Sequence, residues 1–333
     1  MINQRLFDHY GIDTNKNLGI KKICGRPFDT LLIDKMGSCY ACECTAWLPQ
    51  SVGNLQKNSL KEILESPMRY KMQDSVSDGT YRYCNNKLCT YISKNKFPRG
   101  DLESGLQQLR LAIDDSCNLS CPSCRKEKIF LYKGGTFRMR MDIMNSVLEF
   151  LEQHNHPLLI HIGSDGDPFA SVLYRTFMRQ VPDKDCFNYS LQTNGLLFQQ
   201  MFPRVQHVIE RAKHINVSID GASATTYETL RRGGDWQKIR KNLDFIGEKK
   251  SLGYRYELHM VVQKSNWREM ADMLALGHQV GADQVKFSMI ADWGTFAQFE
   301  SQKPPTEDPE FQNMVKQCEK NPIGHTWLDR DLV

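Results

Sequence analysis

The chain has 333 residues, 40% of them hydrophobic, which is enough to bury a core in one large domain plus a small one. A net charge of +4 is that of an ordinary mixed surface, so charge gives no reason to expect a nucleic-acid partner. The polar start MINQRLFDHY and the lack of any window near ~20 apolar residues exclude a membrane span by sequence pattern, and a cytoplasmic protein is expected.

In chain order, LLIDKMGSCYAC (31–42) alternates in polarity and turns at Gly37, which predicts a hairpin. SLKEILESPMRYKM (59–72) predicts one helix. The polar stretch NKFPRGDLESG (95–105) marks a domain boundary. Beyond it, LRLAI, LLIHI, FNYSL, INVSI, YELHMVV and QVKFSMI are candidate strands. Between them, MDIMNSVLEFLEQH, VLYRTFMRQ, QMFPRVQHVIERA, DWQKIRKNLDFIGEKK and WREMADMLALGHQV carry apolar residues at helical spacing. Six strands with crossover helices predict an α/β domain, a partial (β/α)6 TIM-like barrel. The aromatic, loop-like stretch after it, with Trp293 and Phe296, is expected to pack on the sheet or to line a pocket.

Eleven cysteines in a chain expected to be cytoplasmic point to metal or redox chemistry before disulfides. Six lie in the first ninety residues: Cys24, Cys39, Cys42, Cys44, Cys84 and Cys89. That N-terminal part is too small to be comfortable without a staple, and a metal cluster would supply one. Cys117, Cys121 and Cys124 form a CxxxCxxC trio on the loop after the first barrel strand. Three thiolates so spaced grip three irons of a cubane cluster and leave the fourth open, whereas structural zinc wants four closed ligands.

At these residues the chain resembles the radical S-adenosylmethionine (SAM) superfamily. Gly166 to Pro168 resembles that family's GGE-type motif with Asp167 in the acidic place, TNG begins at Thr193, and SIDGA runs from Ser218. The resemblance implies a SAM-binding 4Fe-4S cluster on Cys117, Cys121 and Cys124, and one-electron cleavage of SAM to a 5′-deoxyadenosyl radical that abstracts hydrogen from substrate. Gly163, Gly166 and Asp167 would offer acceptors to the SAM amino group. Thr193, Asn194 and Ser218 would reach the ribose or carboxylate, and Asp220 and Arg231 are further cofactor-binding candidates.

The segment from Cys24 similarly resembles the SPASM or twitch module, which implies Cys24, Cys42, Cys84 and Cys89 as ligands of a second, auxiliary 4Fe-4S cluster. Zinc is the rival at these positions, and Cys39 and Cys44 are left over as core thiols or alternative ligands. The implied division is an N-terminal segment 1–23, an auxiliary domain 24–100, a core barrel 105–292 and a C-terminal extension 293–333. Modules of this kind imply a ribosomally synthesised peptide as substrate, a separate leader-binding partner protein, and an electron donor such as flavodoxin or ferredoxin. Cys318 and Cys186 are the candidate hydrogen donors for an epimerisation. A nucleotide, tRNA or small metabolite is the alternative substrate, and an inactive cysteine-rich interaction protein is the alternative of another class.

Overall fold

The computed structural model describes residues 15–99, 105–321 and 324–328, the last by backbone alone. The start of the expected N-terminal segment, part of the 95–105 boundary stretch and the end of the C-terminal extension lie outside them. The chain divides into two compact units, one of Met1–Asp115, Leu131–Asp165 and Val172–Asn188, the other of Ser116–Phe130, Gly166–Ser171 and Tyr189–Val333. No helix among the described residues is long and apolar enough to cross a membrane.

In the first unit, strands β1 (Thr30–Asp34), β2 (Ser38–Tyr40), β3 (Gly53–Asn54), β4 (Gln108–Ala112) and β5 (Leu158–Ile162) lie in the order β5-β4-β1-β2-β3. The expected hairpin is present: Leu32 faces Tyr40 and Ile33 faces Cys39 across an antiparallel pair, with Gly37 at φ +78 in the turn. β1 also pairs parallel with β4, from Thr30 opposite Gln108 to Asp34 opposite Ala112. The cysteine-rich segment is therefore stitched by backbone hydrogen bonds to the first strand of the βα alternation. Leu31, Ile33, Leu109 and Ile160 are fully buried, and each such side chain stabilises the fold by about 1.5–3 kcal/mol.

Helices α1 (Arg26–Asp29), α2 (Leu60–Leu64), α3 (Pro67–Ser77), α4 (Thr90–Ser93), α5 (Gly135–Gln153) and α6 (Val172–Gln180) complete this unit. The single helix expected over 59–72 is two. Ser66 is extended at ψ 142 because the following Pro67 disfavours a helical predecessor, and Ser66 then caps α3 at Arg69. α2 has its own capping box from Ser59 and Glu62. Cys24, Val76 and Tyr81 form a small buried cluster with Phe28, Cys84, Tyr91 and Phe97 packed against it.

One polar knot at the end of β4 was not foreseen. Arg140 on α5 reaches Asp114 at 2.9 Å and Asp115 at 2.7 Å, and Lys35 reaches Asp115 at 2.8 Å. Asp114 is fully buried, so its charge is tolerable only while paired. Burial alone would raise Asp115, but hydrogen bonds from Lys35 and Arg140 hold its carboxyl well below the usual carboxylate range.

In the second unit, β6 (Phe187–Thr193), β7 (Ala212–Ser218), β8 (Arg255–Val262), β9 (Gln284–Met289) and β10 (Gly324–Leu328) run parallel, in that spatial order. α7 (Phe198–Met201), α8 (Gln206–Glu210), α9 (Ala224–Leu230), α10 (Trp236–Glu248), α11 (Met270–Gln279) and α12 (Pro309–Glu319) lie between and after them. The helix expected over 200–212 breaks into α7, a tight turn over Phe202–Arg204 and α8, because Pro203 cannot continue a helical hydrogen-bond ladder. The other strand and helix expectations are met, and the α/β class with parallel strands and crossover helices is the class observed.

The strands of this unit have one apolar and one polar face. Leu191, Ile215, Val217, Leu258, Met260, Val285 and Phe287 are fully buried. The intervening Ser190, Asn216, His259, Lys286 and Ser288 are half-buried and polar.

Arg140→Leu is expected to lose about 3–5 kcal/mol of stability, because it strands the buried Asp114 charge. Urea unfolding at neutral pH checks this.

Candidate functional site

The second unit carries the trio. β4 is followed by Asp114 and Asp115, and the chain then enters the loop Ser116–Phe130. Cys117 and Cys121 are buried and Cys124 is exposed. Each sulfur receives an N–H donor. Leu119 N is 3.5 Å from Cys117 Sγ and Asn194 Nδ2 is 3.7 Å from it; Arg231 Nη1 is 3.8 Å from Cys121 Sγ, and Arg125 Nε is 3.4 Å from Cys124 Sγ. Donors aimed at sulfur favour thiolate over thiol, but burial outweighs them, pushing the Cys117 thiol up to about 11 and raising that of Cys121. Among the described residues no three Cys, His, Asp or Glu side chains already stand as a metal-holding group. The chemistry of the donor set nonetheless fits a thiolate-bound cluster, because N–H groups have nothing to gain from a neutral thiol of weak acceptor strength.

Around the trio, hydrogen bonds and an ion pair bring together Asp167, Thr193, Asn194, Asp220 and Arg231, with Arg231 at the end of α9; Gly166 and Ser218 lie in the same unit, beside Asp167 in the chain and at the end of β7. Asp167 is buried, and both of its oxygens are taken. Oδ1 accepts from Phe169 N and Ala170 N at 3.0 Å each; Oδ2 accepts from Thr193 Oγ1 at 2.7 Å and Asn194 N at 2.8 Å. Burial raises its pKa against the pull of these bonds. Thr193 Oγ1 in turn accepts from Gly195 N at 3.0 Å. Asp220 pairs with Arg231 Nε at 2.9 Å and accepts from Val261 N at 2.8 Å. The hydroxyl of Ser218, at the end of β7, makes no side-chain hydrogen bond to protein among the described residues.

Two glycines explain why these motifs are short and small. Gly195 sits at φ +77, and a Cβ there would come within 2.8 Å of Ile239 Cδ1 and 2.9 Å of Val217 Cγ1. A Cβ on Gly221 would meet Tyr227 N at 2.5 Å, so the SIDGA turn lets α9 start against the strand end.

The first unit holds Gly163, buried at φ +97 just after β5, and the auxiliary cysteines. Cys24, Cys42 and Cys89 are buried and Cys84 half-buried. Cys24 and Cys89 each interact electrostatically with Cys42 and Cys84 and with one another. Burial pushes the Cys24 thiol up to about 12, against the backbone N–H of Arg26. Cys44 is close to Cys89, while Cys39 is fully buried and donates its S–H to Gly37 O at 3.6 Å, as a packed core thiol does.

The two hydrogen-donor candidates stand apart from these sets. Cys186 precedes β6, at the strand end opposite Thr193, and its carbonyl accepts from Leu158 N. Cys318 is fully buried on α12 beside Phe311 and Val315, and burial pushes its thiol up to about 11. Of the aromatic pair expected near a pocket, Trp293 is exposed.

Sequence reasoning missed His259. Its Nε2 is 2.8 Å from Ser288 Oγ on the neighbouring strand, and burial, then the charges of Arg231 and Lys286, lower its pKa from 6.5 to about 4. Beside it, Glu257 takes Lys286 at 2.5 Å and Arg255 at 3.1 Å. Polar residues at alternate positions of YELHMVV and QVKFSM were the signal available.

A depressed histidine pKa means that the unfolded chain takes up protons that the folded chain refuses between pH about 4 and 6.5. Stability from this group is therefore full above pH 6.5 and is lost as pH falls toward 4. His259→Asn is expected to flatten that part of the stability profile, measured by urea unfolding across this pH window.

Residues 24–90 match the SPASM family, described as an iron-sulfur cluster-binding domain. Among curated proteins, the chain is 28% identical over 155 residues to a GTP 3′,8-cyclase of Peptoclostridium acidaminophilum, covering 44% of each chain. It is 27% identical over 191 residues to a GTP 3′,8-cyclase of Lactiplantibacillus plantarum, covering 55% of each. The chain thus spans about half the length of the curated relatives it matches. Among solved structures, Streptococcus suis SuiB bound to precursor peptide SuiA aligns with TM-score 0.48 at 11% identity, over 68% of this chain and 49% of that one.

Proposed function

We propose that this chain is a radical SAM enzyme that acts on a ribosomally made peptide. The observation that carries the reading is the convergence of side-chain and backbone N–H donors on all three sulfurs of Cys117, Cys121 and Cys124. Those three cysteines would hold the SAM-binding 4Fe-4S cluster. When bound, the cluster and SAM supply an electron and a hydrogen-abstracting group. The chain's own part is to orient. Ser218 would offer its hydroxyl to the cofactor, and Asn194 and Arg231 direct N–H donors to the sulfurs.

The match of residues 24–90 to an iron-sulfur cluster-binding domain supports a second cluster on Cys24, Cys42, Cys84 and Cys89. Exposed Cys124, flanked by exposed Lys126 and Lys128, suits an acidic one-electron donor such as a flavodoxin or ferredoxin. A separate leader-binding protein presenting the peptide belongs to the same reading.

A nucleotide substrate is the second reading, favoured by the relatives named GTP 3′,8-cyclase. Against it, Arg231 is paired with Asp220, and Lys286 and Arg255 share Glu257, so a triphosphate would compete with these two carboxylates.

The test is anaerobic reconstitution with iron and sulfide, followed by reduction in the presence of SAM. Wild type should bind about eight irons and release 5′-deoxyadenosine and methionine, detected by mass spectrometry. With Cys117, Cys121 and Cys124 all changed to alanine, about four irons should remain and SAM cleavage should cease. Loss of all iron in that variant would refute the second cluster, and undiminished cleavage would refute the role of the trio.

A further inference from the structure

Asp167 and Asp220 invite the assumption that acidic residues beside a cofactor site touch the cofactor. Their geometry says otherwise. A carboxylate has about four acceptor positions, and Asp167 spends all four on Phe169 N, Ala170 N, Thr193 Oγ1 and Asn194 N. Its own N–H donates to Ser116 O at 2.9 Å, on the residue next to Cys117. Asn194 is held so that its Oδ1 accepts from Leu196 N at 3.1 Å, while its Nδ2 donates to Asn118 Oδ1 at 2.9 Å and to Cys117 Sγ at 3.7 Å. The amide therefore has one orientation, with nitrogen toward sulfur.

Asp220 repeats the arrangement. It is buried, fixed by Val261 N, and its other oxygen holds Arg231 Nε at 2.9 Å while Arg231 Nη1 faces Cys121 Sγ at 3.8 Å. In both cases the order is buried carboxylate, N–H carrier, ligand sulfur.

We propose that Asp167 and Asp220 are positioning residues that fix N–H donors on the sulfurs of Cys117 and Cys121, and so set the reduction potential of the cluster bound there. The inference rests on the cluster reading above and goes beyond it. Hydrogen bonds and positive charge at ligand sulfurs favour the more reduced, more negative state and raise the potential. Releasing either donor lowers it. In Asp167→Asn an NH2 must face either Asn194 N–H or the turn's N–H groups, so a donor meets a donor and Asn194 is freed.

The experiment is an EPR-monitored redox titration of the reconstituted full chain. The contribution of the N-terminal cysteines comes from the variant with Cys117, Cys121 and Cys124 changed to alanine. Asn194→Ser and Asp167→Asn should each shift the midpoint to more negative values at unchanged iron content. The double variant should shift no further than Asn194→Ser alone, because Asp167 acts through Asn194. Arg231→Gln and Asp220→Asn should behave as a second such pair. Thr193→Val, which removes a single bond to Asp167, gives a smaller shift of the same sign and serves if Asp167→Asn does not fold. Unchanged midpoints in Asn194→Ser and Arg231→Gln, or additive shifts in the double variant, overturn the proposal while leaving the cluster reading intact. A wild-type protein that shows no cluster signal from the trio overturns both.

Discussion

A charge taken out of water must find partners, and at Asp167 this requirement organises the neighbourhood of the cysteine loop. The buried carboxylate draws together its own turn, the end of β6 and, through its N–H, the start of the loop carrying the trio. Replacing the carboxylate by an apolar side chain would leave Thr193 Oγ1, Asn194 N and Phe169 N without this acceptor, while Ala170 N keeps Asp167 O at 3.2 Å. A short acidic side chain suits this task, since its oxygens lie close to the backbone that they satisfy.

The same division of labour extends along β6 to β9. One set of alternate residues is fully apolar and lies under helices, as parallel strands require. The other set is polar, with the single carboxylate of Glu257 between Lys286 and Arg255 and neutral His259 against Ser288, so that one positive charge is left over.

Much of this was legible in the chain. The trio follows from its spacing and the alternation of strands and helices from periodicity, because these are local properties, while the TNG and SIDGA stretches stand out through the resemblance to the radical SAM superfamily. Two helix expectations failed at Pro67 and Pro203, where periodicity continues through a residue that cannot. The knot of Asp114, Asp115, Lys35 and Arg140 was hidden, since charged residues far apart in sequence give no periodic signal. The role of Asp167 was hidden for a related reason. Its type and place suggested a ligand to a cofactor, and only the three-dimensional count of donors reveals that no acceptor capacity is left over.

The parallel pairing of β1 with β4 has a consequence for how the protein is made. Two strands that hydrogen-bond as neighbours enclose the entire cysteine-rich excursion between Asp34 and Gln108. During synthesis β1 emerges long before its partner, so its inner edge stays open until β4 has left the ribosome. The cysteines of the excursion are thus presented to the cell's metal supply on an unfinished sheet. Loading before closure would lower the entropy lost when the ends meet, and loading afterwards would find a preshaped site. A metal on Cys42, Cys84 and Cys89 would in this way tie its own loading to the closing of the β1–β4 pair.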